Sequence, residues 1–127
     1  MKNYEIVTII NAFDRLKNSN ESGPLLPASV AWKRRLNLTK LLDANRVISE
    51  ALNEVSDKFA DDAHSYDDKE KNARLVKPEF MNEFARLRTE ILEQETDVDI
   101  KKVKIEEIGD IVLSEADMDT LAFMIEE

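Results

Sequence analysis

The sequence predicts a mainly α protein: a long central helix, two shorter helices antiparallel to it, then a small C-terminal β-ribbon and a short helix. Three observations predict this. After Pro27 no Pro or Gly occurs until Pro78, so a helix that opens at Pro27 meets no breaker. Within that stretch apolar residues return at alternating intervals of three and four, the period of one helix face. Only 2 of the 127 residues are Gly and 35% are charged, a composition of exposed helices.

Taken in order, Asn3 is placed to cap a first helix, with Glu5 in its first turn favouring the dipole. Ile6, Ile9, Ile10, Phe13 and Leu16 then form an amphipathic face about four turns long. Asn18 to Glu21 reads as a polar break and Gly23-Pro24 as a turn. Leu25 and Leu26 are expected to fold back on the next helix as a hydrophobic staple. That helix runs from Pro27 to Phe59, with a seam of Leu38, Leu41, Asn45, Ile48, Leu52, Val55 and Phe59 that Leu42 and Val47 widen. Its length of ~33 residues corresponds to roughly 50 Å, more than the width of a compact domain of this size. Asn45 either fixes register or oligomeric state, or sits at the edge of the stripe and meets water. Trp32 is expected to anchor the first helix, and Lys33, Arg34 and Arg35 to be solvated or ion-paired, since consecutive residues spread around a helix.

Residues 60–77 read as a mobile polar connector, with Leu75 and Val76 tacking down its end. Asp61, Asp62, His64, Asp67 and Asp68 come nearest to a metal constellation there, but without the central Gly of a calcium loop. A third helix, 78–96, opens at Pro78 and carries Phe80, Phe84, Leu87, Ile91 and Leu92 on one side. The first helix, at ~15 residues, and the third, at ~18, together match the long one in length. They are expected to pack beside its beginning and its end respectively. Two helix layers leave apolar surface to be covered. In the last part, 97–127, Asp97-Val98-Asp99-Ile100 alternates like a strand, and Val103 and Ile105 continue after Lys101-Lys102. Gly109-Asp110 marks a turn and Ile111-Val112-Leu113 a second strand. Ser114 caps a final helix with Asp117 at its third position; Met118, Leu121, Ala122 and Ile125 are its expected inner face. Phe123 and Met124 point elsewhere, toward a second buried or binding surface.

The four parts make one domain. The absence of Cys excludes disulfides and thiolate metal sites, and one His in the connector leaves no base for a hydrolytic triad. Two separated glycines exclude a glycine-rich phosphate loop. The opening residues lack a signal-peptide layout and no apolar run is long enough for a membrane. The net charge is −9, split as +3 over residues 1–50 and −12 over 51–127, which argues against direct nucleic-acid binding. Asp97, Asp99 and Glu93 fall within reach of one another as a cation site only at background level among 27 acidic residues.

Three stretches, Glu5–Phe13, Glu95–Ile100 and Leu121–Glu127, together with the order of the parts, resemble small proteins of unknown function encoded by phages and prophages of Gram-positive bacteria. The resemblance implies a phage or prophage setting, hence the cytoplasm of a bacterial host, and no activity. The expected function is a non-enzymatic interaction or assembly module that self-associates or binds another protein, without cofactor, metal, membrane or small-molecule substrate. Its candidate core or interface is Leu38, Leu41, Asn45, Ile48, Leu52, Val55, Phe84, Leu87, Ile91, Phe123 and Met124. The alternative is an acidic mimic of nucleic acid that occupies a host enzyme, presenting Glu90, Glu93 and Asp97.

Overall fold

The computed structural model describes residues 1–18 and 25–126. The expected turn at Gly23-Pro24 and most of the polar break before it lie outside the described residues. The fold is mainly α. Helix α1 spans Asn3–Asn18 and the long helix α2 spans Ala28–Lys58. A hairpin of β1 (Ser65–Asp68) and β2 (Ala73–Val76) follows, and a 3-10 turn at Pro78–Phe80 leads into α3 (Met81–Leu92). The C-terminal part holds β3 (Val103–Lys104), α4 (Ile105–Ile108), α5 (Glu115–Leu121), a 3-10 turn and β4 (Ile125–Glu126). No described helix is long and apolar enough to cross a membrane.

Helix α2 has its seam filled from within the chain. Leu41, Ile48, Val55 and Phe59 are buried, and Leu38, Leu52 and Asn45 are half-buried beside them. Ile6, Ile10 and Phe13 of α1 join Leu41 and Ile48 in one core cluster, against which Ile91 of α3 also packs. Farther along, the Phe84 ring meets Phe59 edge-on at 5.4 Å, while Phe84 and Leu87 stay half-buried. The end of α3 meets the start of α1, so the two shorter helices lie end to end along α2. Asn3 makes this junction: its Nδ2 donates to the Ile91 carbonyl (2.8 Å) and its Oδ1 accepts from Thr96 (2.7 Å). Asn3 therefore closes the C-terminus of α3 and does not cap α1 as expected: its buried amide donates to the Ile91 carbonyl in the last turn, and its backbone N–H to the Gln94 carbonyl beyond it.

A second cluster joins Val30 of α2 to Val103, Ile108, Leu121 and Met124. The C-terminal module thus covers the beginning of α2 and also packs α5 on α1. Phe123 meets Phe13 edge-on at 6.3 Å. Met118 and Ala122 are exposed instead of forming the inner face of the last helix, because α5 stops at Leu121 and the chain turns through a 3-10 step that buries Met124. The Ser114 cap is as read: its Oγ accepts from the Asp117 N–H at 3.1 Å.

Several expectations are corrected. Residues 60–77 are not a structureless connector, since Ser65↔Val76 through Asp68↔Ala73 form an antiparallel ladder. Asp68 Oδ1 accepts from the N–H groups of Glu70 and Lys71, and Asn72 takes a left-handed φ of 50°, a conformation Asn tolerates. The C-terminal ribbon pairs Val103 with Ile125 in parallel; neither Asp97–Ile100 nor Ile111–Leu113, the expected strands, is in a strand. The Lys104 N–H donates to the Glu107 carboxylate at 2.6 Å, which starts a helical turn at Ile105; Gly109, at φ 73°, ends it. Val112 is then left exposed. Pro27 is the residue before α2 and not its first helical one, Leu25 is exposed while Leu26 packs on the second cluster, and α3 ends at Leu92, short of 96.

Candidate interaction surface

The outward side of α2 is set by what its inward side has already used. The same period that buries Leu41, Ile48 and Val55 points Trp32 and Val47 away from the core. Trp32 is 63% exposed, Val47 57% and Leu42 48%. Trp32 therefore does not anchor α1, and Leu42 and Val47 do not widen the buried stripe. Between the last turns of α1 and the first half of α2 lies a cleft of about 560 Å³ floored by Ile10, Phe13, Leu16 and Leu38. Arg35 and Lys17 stand on its rim.

Beneath this surface, polar bonds hold the C-terminal module to α2. Asn37, completely buried, accepts from the Lys101 N–H (2.8 Å) and donates to the Lys101 carbonyl (2.9 Å), as a neighbouring strand would. It also reaches Met124 Sδ at 3.5 Å. Arg34 pairs with Asp117 at 3.1 Å, largely buried on both sides, and also donates to Thr120. Lys33 faces Glu107 at 3.6 Å and Lys40 faces Asp99 at 3.4 Å. The basic triplet is thus divided: Lys33 and Arg34 are ion-paired and Arg35 is exposed. The hydrogen bond from Lys40, then that from Lys101, holds the Asp99 carboxyl below its ordinary value. Glu107 is lowered chiefly by the Lys104 N–H. Asn37 did not stand out in the sequence, and Arg34 was marked only as one of a solvated or ion-paired triplet, without its partner. Asn37 precedes the heptad seam by one position, and the only signal was a polar residue on the inward side of a helix.

The aspartates of the hairpin are engaged in holding it together. His64 lies 4.6 Å from the Phe80 ring and 5.5 Å from Phe59, with Nδ1 2.6 Å from Asp61 Oδ1. That hydrogen bond leads the lowering of the Asp61 carboxyl. Arg74 binds Asp62 and Asp67, and the Asp62 bond raises its already high value further. Among the described residues no three His, Asp or Glu side chains converge as a metal site. The acidic set Glu90, Glu93 and Asp97 is not brought together as an open patch: Glu90 pairs with Arg86 at 2.7 Å and Glu93 with Lys2 at 2.9 Å. The Glu93 hydrogen bond raises the Lys2 ammonium. Asp97 is exposed.

No protein-family model matches the chain, and no curated protein or solved structure is detectably similar to it.

Proposed function

We propose that the protein is a non-enzymatic assembly module that works by protein–protein contact and self-associates, in the bacterial cytoplasm and phage setting that its resemblance implies. The observation that carries this reading is the exposed side of α2. Trp32 stands in solvent opposite the core of α2, with Leu42 and Val47 exposed on its two flanks, while the inward side is already filled by α1, α3 and the C-terminal module. A helix that has satisfied its core and still presents an aromatic and two aliphatic side chains has surface suited to a partner. The buried seam Leu41, Ile48 and Val55 is then core, and contact falls to the outer side. Light scattering across a dilution series tests this. A mass that rises above 14.6 kDa with concentration is expected; a monomer throughout refutes self-association.

The second reading, an acidic mimic, rests on the charge of −9 and on the exposed acids Asp43, Glu50, Glu54 and Asp57 along the outer side of α2. It requires salt-sensitive binding to a basic nuclease or polymerase, and salt-insensitive binding would refute it.

A further inference from the structure

We propose that the cleft between α1 and α2 is a binding site for a small apolar carboxylate, a monoanion with an aliphatic body. This goes beyond the assembly reading and stands on residues other than Trp32 and Val47. The cleft follows from the way the two helices meet. Ile10 and Phe13 of α1 are buried in the core, but Leu16, about one turn on, is only half-buried. On α2, Leu38 and Leu42 lie about 60° and about 100° round the helix from buried Leu41, both in the same direction. They face along the flank of the core, and Leu42 remains 48% exposed. Apolar side chains of both helices thus surround one opening of about 560 Å³. Clefts of this size with mostly apolar walls and few charges suit small molecules. A peptide helix, about 10–12 Å across, would use up such a space in about one turn, too little to hold it.

The charges on the walls set the sign of the ligand. Arg34 lines the cleft, but its guanidinium is already bonded to Asp117 and Thr120. Lys17 on α1 and Arg35 on α2 stand on opposite walls, both exposed, and neither takes part in an ion pair among the described residues. Asp14, about one turn before Lys17, is the acid among the described lining residues. Lys17 and Arg35 against Asp14 leave a local balance of +1, in a chain whose total is −9. A monoanion answers this balance, whereas a cation meets two like charges and a neutral molecule leaves both cations without a partner. The aliphatic body then lies on Phe13, Leu16, Leu38 and Leu42 and removes their apolar surface from water. The carboxylate stays at the rim, where the Arg35 guanidinium can hold both of its oxygens and water still reaches it, so its desolvation is slight.

The test titrates the isotopically labelled full chain with octanoate and follows amide chemical shifts, with octanol as the uncharged counterpart of equal chain length. Octanoate is expected to shift the amides of residues 10–17 and 31–42 saturably and to leave those of the β1–β2 hairpin in place. Octanol is expected to bind about tenfold more weakly, the worth of a hydrogen bond to a charged group. Arg35→Glu, a change at an exposed position, is expected to weaken octanoate by about tenfold or more and to leave octanol unchanged. Leu42→Glu, also exposed, weakens both, because it removes apolar wall as well as adding a like charge. Circular dichroism of each variant establishes that the helices are intact. No shifts, or shifts that spread over the whole chain without saturating, overturn the site. Equal affinity for octanol, or octanoate binding that Arg35→Glu leaves unchanged, overturns the assignment of an anion.

Discussion

Replacing Asn37 by Leu tests how the C-terminal module is held. Leu keeps the branched four-atom skeleton of Asn and is larger, so no cavity opens and the loss falls first on hydrogen bonds. Asn37 makes two of these to the Lys101 backbone, at 2.8 and 2.9 Å. Each contributes about 1 kcal/mol net, and stranding the part-buried Lys101 N–H and carbonyl raises the loss to about 3 kcal/mol. The added apolar atoms, buried beside Met124, return about 1 kcal/mol. The net cost is about 2 kcal/mol, a fall in melting temperature of about 6–8 °C for a chain of this size. Urea denaturation followed by circular dichroism at the helix band measures it; Trp32 is too exposed to be a sensitive probe. A variant as stable as the wild type, or more stable, refutes the account, since that is the outcome if Asn37 were merely a polar flaw in an apolar seam.

Three further sets of substitutions test the remaining contacts. Arg34→Met and Asp117→Asn each remove one partner of a largely buried pair and are expected to cost about 2–4 kcal/mol, with the double variant losing less than the sum by about 1 kcal/mol or more. Additive losses in a double-mutant cycle would show that the pair is not coupled. In the hairpin, Asn72→Gly is expected to change stability by under about 0.5 kcal/mol, while Asn72→Val costs about 1–2 kcal/mol, because a β-branched side chain resists positive φ. Equal effects of the two in thermal melts would remove the left-handed turn from the explanation. Asp61, Asp99 and Glu107 all have lowered values, so each contributes stability that is present above its ordinary value, 3.8 for Asp and 4.5 for Glu, and lost as pH falls through the folded one. Stability is therefore expected to drop below about pH 4, and less steeply in Asp61→Asn/Asp99→Asn. An unchanged acid slope in that variant would show that these carboxylates are not the source.

The interaction surface was half legible in the sequence. The heptad spacing identified the inward side of α2, and the outward side follows from it by geometry. Trp32 was assigned to the wrong side because a tryptophan is usually packed, whereas its place on the helical wheel relative to Leu41 already directed it outward. Of the cations that pair the acidic candidates Glu90 and Glu93, Arg86 lies one turn before Glu90 on α3 and was open to reading from spacing, whereas Lys2 arrives from the far end of the chain and is known only from folding.

Local order was determined by the sequence alone. The three helices, the Ser114 cap, the turn at Gly109 and the antiparallel packing of the shorter helices follow from period, capping and length. These are interactions among residues a turn or two apart, plus the requirement that a 31-residue helix be covered along its length. Only the tertiary structure decided how distant backbone groups are satisfied. Asn37 bonds Lys101, 64 positions away, and Arg34 bonds Asp117, 83 positions away. The parallel pairing of Val103 with Ile125 and the Asn3 junction are of the same kind. A single polar residue on a helix carries no mark of its partner, because hydrogen bonding specifies a group and a distance, and the chain between is free to close many loops at nearly equal entropic cost.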